Sequence, residues 1–68
     1  MVMTDQQLRN AIGDDCFAKG LTEEQAADVR VYAFRLVREY HAAHVDALKA
    51  ARTLAGIMQK SNTGVAHV

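Results

Sequence analysis

Sixty-eight residues with no net charge, no proline and a single cysteine define a narrow problem. A chain of this length buries only about 60% of the surface its unfolded form exposes, so it makes one marginal domain at most. One cysteine excludes an internal disulfide, and no apolar run approaches the ~18 residues that span a bilayer, so the expected address is the cytoplasm.

Neutrality hides an asymmetry. Residues 1–28 carry −4 and residues 29–68 carry +4. Acids early and bases late match the dipole of a long helix, and they also leave a basic surface for an acidic partner.

Twelve alanines and few β-branched residues favour helix along the whole chain. Thr4-Asp5-Gln6-Gln7 and Thr22-Glu23-Glu24-Gln25 share the pattern T-x-x-Q, a capping box that starts a helix. Met3 with Leu8 and Leu21 with Ala26 supply the matching hydrophobic staples. Helix 1 is predicted from Asp5 to Ala18, closed by Gly20 as the left-handed cap, with Gly13 inside it costing about 1 kcal/mol against alanine.

Helix 2 begins at Glu23 and meets no breaker before Gly56, so an unbroken helix over 23–59 is predicted, ~55 Å long at 1.5 Å per residue. Ser61-Asn62-Thr63-Gly64 reads as a turn, and 61–68 as a disordered tail after one helical domain over 1–60.

Two apolar stripes run along helix 2. One is Ala26, Val29, Ala33, Leu36, Tyr40, Ala43, Ala47, Ala50, Leu54 and Ile57, spaced alternately by three and four. Beside it lie Ala27, Phe34, Val37, His41, His44, Leu48, Ala51, Ala55 and Met58. Helix 1, at ~21 Å, reaches back over helix 2 only to about Val37 or Tyr40. Exposing the remainder would forgo roughly 1.5–3 kcal/mol for each large side chain.

Two solutions exist. A straight helix 2 can pair with a second copy, or the chain can break near Ala42-Ala43-His44 and fold into a three-helix bundle. The lack of any breaker favours the first. The expected fold is therefore all-α: a short helix 1 packed antiparallel on a long amphipathic helix 2, a helical hairpin completed as a homodimeric bundle. Its dimer interface is expected at Tyr40, Ala43, His44, Ala47, Leu48, Ala51, Leu54 and Met58.

Candidate chemistry is sparse. His41 and His44 stand i and i+3, but one helix supplies two ligands where a closed zinc site needs four, so no metal and no cofactor are expected. Cys16 reads as a small buried hydrophobe, with Asp14 and Asp15 suppressing its thiolate. No Ser/His/Asp grouping, phosphate loop or inward carboxylate pair is legible, which argues against an enzyme.

A non-enzymatic protein–protein interaction module is the expected function: a regulator, adaptor or inhibitor of a larger protein. The alternative is a small dimeric DNA-binding regulator, disfavoured by zero net charge. Arg30, Arg35, Arg38, Lys49 and Arg52 are the candidate partner-binding residues in either case. Five arginines against three lysines, with the high alanine content, suggest a bacterial or phage protein on composition alone.

Overall fold

The computed structural model describes the backbone of residues 2–65 and the side chains of residues 2–62. It contains three helices packed against one another: α1 (Asp5–Ala18), α2 (Glu23–Glu39) and α3 (His44–Val65). No strand occurs among the described residues.

Both capping boxes form. Thr4 Oγ1 accepts from the Gln7 N–H at 3.1 Å while Gln7 Oε1 accepts from the Thr4 N–H at 2.9 Å. Thr22 and Gln25 repeat this at 3.1 and 3.0 Å. Helix α1 runs unbroken through Gly13. It stops because Gly20, at φ +72°, turns the chain left-handed and lets the Leu21 N–H reach the Cys16 carbonyl at 3.0 Å.

The long helix predicted over 23–59 is not continuous. Helix α2 ends at Glu39, and α3 starts afresh at His44. At the break His41 sits at φ 56°, a left-handed conformation that costs a side-chain-bearing residue roughly 1–2 kcal/mol. Histidine visits this region more readily than most residues, and it needs no glycine or proline beside it. The Leu36 carbonyl accepts from both the Tyr40 N–H at 3.2 Å and the Ala42 N–H at 3.0 Å, so the turn satisfies the helix end.

Fold-back is favoured by magnitude. Covering Leu48, Leu54 and Met58 is worth roughly 1.5–3 kcal/mol each, more together than one strained residue costs. Recruiting a second copy for the same purpose would forfeit at least ~4 kcal/mol of translational and rotational freedom. The chain therefore covers its own seam.

The core consists of Leu8, Ile12 and Cys16 of α1, Val29 and Ala33 of α2, and Ala47, Leu48, Ala51 and Ala55 of α3. Leu8, Ile12 and Cys16 form a ridge at four-residue spacing, as do Ala47, Ala51 and Ala55, and all six are at most 1% exposed. Leu54 and Met58 pack against this cluster.

Of the residues expected at a dimer interface, Ala47, Leu48, Ala51, Leu54 and Met58 are thus covered within one chain. Tyr40 (70% exposed) and Ala43 lie open at the turn, and His44 contacts α1. Restarting the helix at His44 also changes its phase relative to α2, which leaves Val45 and Ile57 exposed although Ile57 was assigned to the seam.

The segment expected as a disordered tail, 61–68, begins within α3. Helix α3 continues to Val65, and Asn62 exchanges two 3.0 Å hydrogen bonds with Gln25 at the start of α2. The rest of that expectation, residues 66–68, lies outside the described residues.

Leu8→Ala should lower the unfolding free energy by roughly 2–5 kcal/mol in urea titration, whereas Ile57→Ala should stay within about 0.5 kcal/mol of the parent. A large cost at Ile57 would restore the straight-helix seam. His41→Gly should raise the thermal midpoint by relieving the left-handed turn, and His41→Val should lower it.

Candidate basic groove between the first two helices

Arginines from α1 and α2 converge where the two helices meet. Arg9, Arg30, Arg35 and Arg38 line an open groove of about 770 Å³ together with Val31, Phe34 and Glu39. Phe34 is half-buried at its floor. The Arg9 and Arg38 guanidiniums each lie 5.6 Å from its ring centroid, the geometry of a cation–π contact. Val31 is 58% exposed, so the groove offers apolar surface as well as charge.

One carboxylate belongs to the lining. Glu39 Oε2 lies 3.4 Å from Arg35 Nε, one turn apart on α2, and both side chains are 62% exposed. An exposed pair of this kind contributes at most about 1 kcal/mol and leaves much of the guanidinium available.

Asp5 lies beyond the groove at the start of α1. Its Oδ1 is 2.6 Å from His44 Nε2, which ties the first residue of α3 to the first residue of α1. The His44 hydrogen bond holds the Asp5 carboxyl below its ordinary value of 3.8; burial opposes it, and the weaker effects of the His44, Arg38 and Arg9 charges add to the lowering. The helix N-terminus also suits a carboxylate there.

The expected basic set divides. Arg30, Arg35 and Arg38 come together on α2, while Lys49 and Arg52 stand exposed on α3 and do not line the groove. From α1, Arg9 joins the three arginines of α2; from the sequence alone it enters only the net −4 of residues 1–28. The signal was present: a chain reversal at Gly20 places position 9 opposite positions in the low thirties of α2. The Asp5–His44 contact had no such signal, because it depends on the break at His41.

Cys16 is buried in the core, and its thiol is pushed up by burial first and by Asp15 second. Among the described residues no group of three or more His, Cys, Asp or Glu is placed to hold a metal ion, and no helix is long and apolar enough to cross a membrane.

Compared with protein families, with curated proteins and with solved structures, the chain matches none.

Asp5 supplies a pH test. Because its folded carboxyl titrates below the unfolded one, its contribution is complete above the unfolded value and is lost as pH falls through the lowered folded value. Thermal midpoints measured from about pH 6 to about pH 2.5 should therefore fall less steeply below about pH 4 in Asp5→Asn than in the parent. Identical slopes would mean that the His44 contact does not persist in solution.

Proposed function

We propose that this chain is a small non-enzymatic protein–protein interaction module, a regulator, adaptor or inhibitor that takes an acidic segment of a larger protein into the α1–α2 groove. One observation carries the reading: four arginines from two helices surround an apolar floor of Val31 and Phe34 with a single carboxylate among them. Gathering like charges costs stability, which a bound anion would recover. Arginine keeps its proton at any physiological pH, so this lining suits recognition of carboxylates and not proton transfer. A partner side chain placed on Val31 and Phe34 would add apolar contact to the ion pairs.

The same arginines would favour the DNA-binding reading if the basic surface were long. It is short: Arg30 to Arg38 spans ~12 Å of helix at 1.5 Å per residue. Glu23 and Glu24 lie beyond one end and Glu39 at the other, and Lys49 and Arg52 do not extend it. A phosphate backbone continuing past either end would meet carboxylates, whereas a short acidic segment would not. With zero net charge the long-range attraction to a polyanion is also weak.

Titration with a synthetic helical peptide bearing several glutamates and one leucine should shift the amide resonances of Arg30, Val31, Phe34 and Arg38. Phe34→Ala and Arg38→Glu should each weaken binding by about tenfold or more, and Lys49→Glu should change it by less than about twofold. Binding of duplex DNA with a steep salt dependence, and none of the peptide, would transfer the site to the DNA-binding reading.

A further inference from the structure

The exposed face of α2 carries Glu23, Glu24 and Asp28 in its first half and Arg35 and Arg38, with Glu39 paired to Arg35 at the end, in its second. Glu23 and Glu24 line a shallow hollow with Ala26, Ala27 and Arg30, and Arg30 borders the arginine groove as well. Acidic hollow and basic groove therefore adjoin along one helix. Glu24, Val31 and Arg38 follow one another at seven-residue intervals, two helical turns each, and so share one stripe. All three are exposed, while Val29 and Ala33 on the far side of the helix are buried.

This stripe is complementary to itself when reversed. Two copies of α2 laid antiparallel across a two-fold axis at Val31 bring Val31 against Val31. Glu24 and Arg38, equally far from Val31 on either side, then face each other twice. Asp28 comes beside Arg35, and Ala27 beside Phe34, in the same register. The parallel alternative would set Glu24 against Glu24 and Arg38 against Arg38, which like-charge repulsion opposes.

We propose that the arginine groove is occupied by a second copy of this chain, docked antiparallel through α2, with Glu24 of each copy against Arg38 of the other and the two Val31 side chains at the centre. The inference rests on the protein-binding reading of the groove: Glu24 of the second copy uses the same arginines as the acidic segment of a larger protein, so the two compete for one site. The symmetry is isologous, the commonest kind for a pair of identical chains. Exposed ion pairs are individually weak and screened by salt, so association is expected at low ionic strength and falls as salt is raised.

Charge reversal in the full chain tests the register, read by sedimentation velocity at low and high salt. The wild type should form dimers at low salt and dissociate to the 7.5 kDa monomer at high salt. Glu24→Arg and Arg38→Glu should each weaken dimerisation by about tenfold or more, and the double variant should recover to within about threefold of wild type, because the exchanged charges face each other again. Helical circular dichroism should be unchanged in all three, since both positions are exposed. A wild type that stays monomeric at low salt, single reversals without effect, or a double variant that fails to recover would each overturn the proposal. Because Glu24 does not line the arginine groove, Glu24→Arg should still bind the acidic peptide; a wild type that is monomeric at low salt and binds the peptide removes the dimer and keeps the broader reading. A monomer that binds no peptide removes both.

Discussion

The fold depends on how closely α3 approaches its neighbours. Ala47, Ala51 and Ala55 present almost no side chain, and at four-residue spacing they form a smooth ridge with no measurable exposure beyond 1%. The equally spaced Leu8, Ile12 and Cys16 of α1 and the Val29–Ala33 pair of α2 are buried with that ridge in one cluster. Small residues on one helix allow large ones on another to fill the space at crystal-like density. With larger residues along α3, the same three helices would be held apart and a 68-residue chain would have too little buried surface to fold alone.

Closing α3 onto the other helices has a second consequence. It consumes most of the apolar seam inside one chain, so the surface left exposed is not the most hydrophobic stretch of sequence. What stays outside includes the face of α2 opposite Val29 and Ala33, where Val31 stands among charged residues. Contact through such a face would rely on charge placement more than on area, giving specificity and salt sensitivity in place of high affinity.

Local latches hold the ends of this arrangement. Asp5 with His44 fixes the start of α3, and Gln25 with Asn62 fixes its far part, while Gln25 also closes the capping box of α2. These contacts are exposed and individually modest, but they bracket the core and define where α3 can lie. Arg38 also lies near enough to Asp5 for its charge to help lower that carboxyl.

The sequence by itself determined the all-helical class, both capping boxes and the bounds of α1, because those depend on neighbours within four residues. The glycine stop at Gly20 was legible for the same reason: its left-handed turn depends on the backbone of that residue and not on distant contacts. It also marked Arg30, Arg35 and Arg38 as a basic set and Cys16 as a core residue. Tertiary structure alone decided the rest. His41 carries no breaker signal, and its left-handed turn exists because burying the α3 seam outweighs about 1–2 kcal/mol of backbone strain, a comparison between distant parts of the chain. That turn moved Leu48, Leu54 and Met58 into an intramolecular core, set Ile57 outside and brought His44 to Asp5. The division of the basic residues, with Arg9 joining the groove and Lys49 and Arg52 left out of it, follows from the same packing, since helical spacing says which residues share a face but not which helix that face will meet.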